Sequence, residues 1–405
     1  MKILAIETSC DDTGIAILEI TPNKNSHERN SHEFTPFAYP KILADFVSSQ
    51  IKIHAPWGGV VPMLAKREHQ RNLAPLLKEA LKKSKLLTIN NKQLTINNKN
   101  LKYILHREPE LLKKLLPFLK KYQKPDFDYI AVTVGPGLEP ALWVGINFAR
   151  ALSYFWNIPL IAIDHIEGHI CANPAIGGIG ADNKMFPAMA IVVSGGHTQL
   201  ILVKAIGKYK IIGETRDDAA GEAFDKVAKM LNLGYPGGPA ISQVAKRKSP
   251  SASRQAPSAK RFATFPRPML NSGDFDFSFS GLKTAVLYTL QKMTPAQIKK
   301  QTPTIAAEFQ QAVIDVLIAK TMAAAKKYNV KTIILAGGVA ANQALRQTLT
   351  DQATEQNLAF LVPSNHLCAD NATMIALAAY YQIQQSRAKK ANWRTLKAQA
   401  NLRIS

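Results

Sequence analysis

One arrangement occurs twice in this chain, and that repetition constrains the fold more than any other feature. "KILAI" (2–6) is a short apolar run, "ETSCDDT" (7–13) a polar turn and "GIAILEI" (14–20) a second apolar run. "AMAIVV" (188–193), "SGGHT" (194–198) and "QLILV" (199–203) follow the same plan. Apolar, β-branched runs joined by turn formers predict hairpins. Two hairpins with small polar tips, well apart in one chain, predict two related lobes. Around them strands alternate with helices: "YIAVTVG", then Glu139–Trp156, then "PLIAI", then a helix over "DHIEGHI". Later, "KTIILAGG" leads into a helix from about Ala340. The alternation predicts an α/β fold. The 405 residues suffice for two domains, and 46% hydrophobic content can fill their cores.

Several segments read as insertions. "NSHERNSHEF" repeats NSHE, "LTINNKQLTINNKN" repeats LTINNK, and "KRKSPSASRQAPSAKR" is a Ser/Pro/basic run, all expected as loops. "LLKKLLPFLKKYQK" is basic and amphipathic and predicts a surface helix. The chain carries 51 Lys+Arg against 29 Asp+Glu, a formal +22. That excess predicts a polyanionic partner, nucleic acid before membrane, although the inserted runs supply much of it. The apolar region from Tyr129 to Ile163 is broken by Gly135, Pro136, Glu139 and Arg150. It falls short of the roughly 18 uncharged apolar residues of a membrane helix. The start "MKILAIETSCDD" has too short an apolar stretch for a signal peptide. Cys10, Cys171 and Cys368 lie far apart, which predicts a reducing, cytoplasmic setting.

Within "DHIEGHI", His165 and His169 are four residues apart and share one helical face, so they can hold one metal. A zinc protease places its glutamate directly after the first histidine. Here Ile166 holds that place, and Glu167 is turned about 100° further round the helix. Asp370 in "CADNATMIA" is a candidate third ligand. The tip "SGGHT" offers unobstructed backbone N–H groups at Gly195 and Gly196, which suits a phosphate as well as an ordinary tight turn. "ETSCDDT" adds Thr8, Ser9 and Thr13 hydroxyls beside Asp11 and Asp12. "AGGVAANQALR" runs from a strand through Gly337 and Gly338 into a helix near Asn342, a junction that admits a ligand to a helix N-terminus. Asp225 could accept hydrogen bonds from a sugar or an amino-acid hydroxyl, and Gly237 and Gly238 permit close backbone approach.

Together these motifs resemble one family. "IETSCDDTGIAI", "GGVVP", "GPGL", "HIEGH", "VVSGGHTQLI", "DDAAGEAFDKVAKMLNLGYPGGP", "FPRPM", "DFSFSGLKTA", "AGGVAAN" and "DNATMIA" occur in the order of the tRNA N6-adenosine threonylcarbamoyltransferases (the TsaD/Kae/Gcp group), once labelled endopeptidases. The resemblance implies a two-lobed actin/Hsp70/sugar-kinase-like fold with duplicated lobes. The expected lobes are 1–163, with a basic low-complexity insertion at about 85–125, and 164–405, carrying the metal and adenylate site with an insertion at about 246–262. The last helix is free to pack back on the first lobe. The resemblance further implies one metal ion, iron before zinc, on His165, His169 and Asp370. It implies that Val192, Val193, Ser194, Gly195, Gly196, Asp225, Gly238 and Asn342 contact a threonylcarbamoyl-adenylate, with Ser9 and Asp11 as phosphate or metal support.

The implied reaction moves the threonylcarbamoyl group from the adenylate to the exocyclic amine of the adenosine 3′ of the anticodon, in tRNAs reading codons that begin with A, and releases AMP. The implied partners are tRNA, an inactive paralogue (TsaB) and a small ATPase (TsaE), with no membrane. A metal-dependent (glyco)protease is the alternative. Met63 stands where the family commonly has glutamate, and Asp12 replaces a second glutamate in the first tip.

Overall fold

The computed structural model describes residues 1–21, 40–91, 99–173, 185–247 and 265–405. The NSHE repeat, most of the second LTINNK copy and most of the Ser/Pro/basic run lie outside them. The strands are β1 (Lys2–Glu7), β2 (Asp12–Glu19), β3 (Lys41–Ser49), β4 (Tyr129–Gly135), β5 (Leu160–Asp164), β6 (Ala188–Val193), β7 (Thr198–Ala205), β8 (Lys208–Glu214), β9 (Thr332–Ala336), β10 (Ala359–Leu361) and β11 (Lys390–Ala391). They form two sheets, ordered β11-β5-β4-β1-β2-β3 and β10-β9-β6-β7-β8.

The two sheets share one topology. In the first, β1, β2 and β3 form an antiparallel meander, and β4 and β5 run parallel to β1. In the second, β6, β7 and β8 form the meander, and β9 and β10 run parallel to β6. Each predicted hairpin is thus the first turn of a meander, β1–β2 or β6–β7. The duplicated lobes of the actin/Hsp70/sugar-kinase class are present in this order.

The chain packs into two units. The first comprises the described residues of Met1–His54, Val60–Lys184 and Ala369–Ile404; the second comprises Ala55–Gly59, those of Met185–Cys368, and Ser405. A boundary at 163/164 is therefore corrected. The His165 helix stays with the first sheet, and the chain returns to that sheet after the second unit is complete. The cause is apolar area on both sheet faces. In the first unit Leu4, Ile6, Ile15, Ile17, Ile130 and Val132 face the helices Pro62–Lys83 and Glu139–Trp156. The opposite face is covered by the helix Ala372–Gln384, which packs on β1, β2 and the His165–Cys171 helix. A Cβ at Gly14 would lie 2.9 Å from Ala372 N, so glycine there admits the helix N-terminus.

The stretch 85–125 is more than a low-complexity insertion. The helix Pro109–Lys121 buries Leu111, Leu115, Phe118 and Leu119, spaced as one helical face, against Pro62–Lys83 within the first core. The second unit buries Phe224, Phe277, Phe279 and Phe309 between its sheet and the helices Ala220–Met230, Ser280–Gln291 and Pro295–Lys327. Among the described residues no helix is long and apolar enough to cross a membrane.

Candidate functional site

Asp164 ends β5 and caps the next helix: its Oδ1 accepts from Ile166 N at 2.7 Å and from Glu167 N at 3.2 Å. That cap fixes where the short helix starts and therefore which face presents its histidines. Asn371 caps the other contributing helix, accepting from Met374 N at 2.9 Å, and so sets the preceding Asp370. Asp370 Oδ1 lies 3.5 Å from His165 Nε2 and 3.2 Å from His169 Nε2. The imidazoles cross at 77°. The donor atoms of the three residues all lie within 4.8 Å of one another.

The donor set fits a metal ion. Ligand atoms about 2.1 Å from one ion stand about 3.0–3.4 Å apart, close to the separations found here. His169 is buried, and among the described residues neither ring nitrogen makes a hydrogen bond, the Asp370 carboxylate 3.2 Å from Nε2 lying outside hydrogen-bond geometry. An imidazole buried in that state is costly unless a ligand takes up a nitrogen lone pair. Two imidazoles with one carboxylate are the donors that iron and zinc accept.

Glu7, at the end of β1, was read in the sequence only as part of a turn. It is fully buried, and its Oε2 lies 3.2 Å from His165 Nδ1 and 2.5 Å from Thr133 Oγ1. Its Oε1 accepts from Ser9 N at 2.5 Å. A carboxylate on Nδ1 leaves Nε2 as the ligating nitrogen. Burial alone would lower the His165 pKa, but Asp370 and Glu7 outweigh it and raise it to about 9.

Glu167 is directed elsewhere. Its carboxylate pairs with Arg387 Nη2 at 3.0 Å and accepts from Gln382 Nε2 at 2.8 Å. The displacement by one position that the sequence showed therefore places this carboxylate in a structural ion pair, not beside the histidines as a protease base.

The first tip is acidic and enclosed. Burial, with Asp370 as the nearest charge, raises the Asp11 pKa. Burial, then Asp11 and Asp370, raise Asp12 to about 7. Ser9 Oγ is buried without a hydrogen-bond partner among the described residues. Met63 is exposed on the first turn of Pro62–Lys83.

In the second unit the glycine-bearing motifs converge on one another. A Cβ at Gly337, where φ is +88°, would fall on the Val193 carbonyl; one at Gly221 would fall on that of Ser194, and one at Gly237 on that of Phe224. These contacts bring the β6–β7 tip, the start of Ala220–Met230 and the start of Gly237–Ala245 within backbone reach of each other. Val192 and Val193 lie buried at the end of β6. Ser194 N donates to His197 O at 2.8 Å, closing the tip, and a Cβ at Gly195, Gly196 or Gly238 would meet nothing within 4 Å. Asp225 Oδ1 accepts from Gly237 N at 2.6 Å. Asn342 caps Gln343–Glu355 through Oδ1, and its Nδ2 donates to Ser242 Oγ at 3.0 Å and Gln310 Oε1 at 2.9 Å. Its amide has its full hydrogen-bonding capacity engaged. Ser242 and Gln310 carry no motif that the sequence could reveal.

Comparison with known proteins adds a family. The profile described as TsaD, tRNA N6-adenosine threonylcarbamoyltransferase, matches residues 41–91 and 107–377. A protein of that description from Thermosipho africanus is 41% identical over 404 residues, covering all of both chains. Another from Burkholderia multivorans is 40% identical over 383 residues, covering 93% of this chain and 91% of its own. Among solved structures, full-length HypF in a phosphate- and nucleotide-bound form is similar at a TM-score of 0.49 and 11% identity, covering 96% of this chain and 56% of that one.

Proposed function

Because the chain belongs to the TsaD family of tRNA N6-adenosine threonylcarbamoyltransferases, and is thus an acyltransferase of tRNA modification, we propose that it takes its acyl group from threonylcarbamoyl-AMP. The acceptor is the exocyclic amine of adenosine 37, 3′ of the anticodon, in tRNAs that read codons beginning with A, and AMP is released.

The donor is a mixed anhydride and arrives activated, whereas the adenine amine is a weak nucleophile because its lone pair is delocalised. The chain's task is to position both and to stabilise charge on the carbonyl and the leaving phosphate. N–H groups at Gly195 and Gly196 suit the acyl-phosphate, since a Cβ at either would meet nothing within 4 Å, and Ser194, whose own N–H closes the tip on His197 O, presents them. Asp225 receives a hydroxyl of the donor, Gly238 admits it closely, and Asn342 holds the Gln343–Glu355 helix start beside it. Val192 and Val193 end the strand that carries the tip.

His165, His169 and Asp370 hold the metal ion, iron before zinc, with Ser9 and Asp11 in support. A divalent ion there would polarise the donor as a Lewis acid or template. Glu7 orients His165 towards it. The observation that carries this reading is the buried histidine pair with His169 lacking hydrogen bonds, while Glu167 is occupied by Arg387. The same observation disfavours peptide hydrolysis.

The working partners are tRNA, a TsaB-like inactive paralogue and a TsaE-like ATPase, in the cytoplasm. The test is a reconstitution with tRNA, threonine, bicarbonate, ATP, the synthase that makes the adenylate, and those partners. Mass analysis of digested nucleosides should show threonylcarbamoyladenosine. Unmodified adenosine, with synthase activity verified separately, would refute the proposal.

A further inference from the structure

A chain of buried side chains in the first unit ends on the acidic tip and has no part in the mechanism above. It runs from Val61, in the "GGVVP" segment, through His54, Gln50 and His69 to Cys10 in the tip. Val61 N lies 3.3 Å from His54 Nδ1, and His54 Nε2 lies 3.1 Å from Gln50 Oε1. Gln50 Nε2 lies 3.3 Å from His69 Nδ1, and His69 Nε2 lies 3.0 Å from Cys10 O. Thr13 Oγ1 also reaches His69 Nδ1, at 2.8 Å. His54, Gln50, His69 and Thr13 are all fully buried.

The two ends fix every proton between them. A backbone N–H can only donate, so His54 Nδ1 accepts from Val61 and its proton sits on Nε2. His54 then donates to Gln50 Oε1, which turns the Gln50 amide towards His69 as a donor. His69 Nδ1 therefore accepts, and its proton sits on Nε2, where the Cys10 carbonyl can only accept. Thr13 Oγ1 and Gln50 Nε2 share the one Nδ1 lone pair, the 2.8 Å Thr13 bond being the shorter, and the polarity is otherwise consistent along the chain.

The half-buried tip is held carbonyl by carbonyl: Ser9 O accepts from Leu138 N at 2.8 Å and Asp11 O from Gln50 N at 3.2 Å, and His69 supplies the bond between them. We propose that His69, with Gln50 and His54 behind it, is a positioning residue that pins the Ser9–Asp12 tip by the Cys10 carbonyl and ties its position to the Val61 backbone. An imidazolium would also donate to the Cys10 carbonyl but could not accept at Nδ1 from Gln50 and Thr13; burial lowers the His69 pKa to about 4, so the ring stays neutral at physiological pH and the relay is kept. The catalytic part of this inference rests on the transferase reading, whereas the proton arrangement does not.

Two measurements test it. Long-range proton–nitrogen correlation spectra of 15N-histidine-labelled protein at pH 7.5 should show both His54 and His69 as neutral Nε2–H tautomers. An Nδ1–H tautomer or an imidazolium at either position overturns the relay, whatever the protein's activity. In the reconstituted assay, His69→Leu should lower kcat about 10- to 100-fold while KM for tRNA stays within about twofold. His69→Gln, which keeps a donor near Nε2, should recover most of that loss. Equal losses in the two variants would mean that His69 only fills space. If His69→Leu does not fold, Gln50→Glu substitutes a near-isosteric acceptor for the donor facing Nδ1. It should draw a proton to His69 Nδ1, read in the same spectra as an imidazolium or an Nδ1–H tautomer, and an unchanged Nε2–H tautomer overturns the proposal.

Discussion

Glu7 and His165 meet across 158 residues of sequence: Glu7 Oε2 lies 3.2 Å from His165 Nδ1, while His165 Nε2 faces Asp370. The imidazole is held between two carboxylates, one for each nitrogen. Glu7→Gln keeps the shape but removes the charge that orients the ring. Metal affinity should fall about 10- to 100-fold, measured by competition with a chelating indicator. His169→Ala removes a ligand outright, so bound metal by elemental analysis and transfer rate should fall together. Full metal content in His169→Ala would refute the ligand assignment.

Glu167 holds Arg387 and Gln382 and stands outside the His165, His169 and Asp370 cluster. Glu167→Ala should lower stability by about 1–3 kcal/mol in denaturant titration, because it leaves those partners unpaired. Metal content should be unchanged, and neither form should cleave peptides. Metal-dependent peptide cleavage by the parent, lost in the variant, would restore the protease reading.

Gly337 has φ +88° and its missing Cβ would collide with the Val193 carbonyl. Gly337→Ala should therefore cost more than about 1 kcal/mol through backbone strain and push β6 from its place. Thermal unfolding would show the loss. A variant as stable as the parent would mean that the turn relaxes freely.

His69 gives a pH signature. Its folded pKa of about 4 is below the ordinary value of 6.5, so the unfolded chain binds the extra proton between those limits. Its contribution to stability is complete above about pH 6.5 and is lost as pH falls towards 4, at up to about 1.4 kcal/mol per pH unit. Asp12 and Asp164, raised to about 7 and about 6, slope the opposite way over part of that range. The test is therefore the difference between parent and His69→Gln in urea titrations from pH 4 to 7. The variant should lose less stability on acidification; parallel curves would contradict the buried neutral imidazole.

The formal +22 predicts that tRNA affinity falls steeply with salt. A plot of log affinity against log salt concentration should slope by about −0.7 to −0.9 per phosphate contact. A flat plot would remove electrostatics as the source of binding.

What the sequence disclosed was local. The Glu139–Trp156 helix, the two hairpins and the four-residue histidine spacing depend on neighbours within a turn or a strand. Within the glycine motifs, Gly221, Gly237 and Gly337 stand where close backbone approach leaves no other residue type, whereas a Cβ at Gly195, Gly196 or Gly238 would meet nothing within 4 Å. Glu7 looked like a turn residue because its partners, Thr133 and His165, lie 126 and 158 positions away. His69 and Gln50 carry no motif, and their meaning comes from the packing of Pro62–Lys83 on the meander. The boundary after residue 163 failed for a related reason: nothing local announces that a chain will return to an earlier sheet. The Leu-rich run at 111–119 was legible as amphipathic, but its hydrophobic face could equally have met solvent-side neighbours.

Asp370 is synthesised 201 residues after His169, with all of the second sheet in between. At a translation speed of about 5–20 residues per second, the nascent protein spends about 10–40 s with two imidazoles in place and the carboxylate not yet made. During that interval one face of the leading sheet also lacks its covering helix. The covering helix and Asp370 therefore arrive together, and a ribosome that stalls before residue 370 releases a chain that can neither close its first core nor complete the histidine–carboxylate cluster.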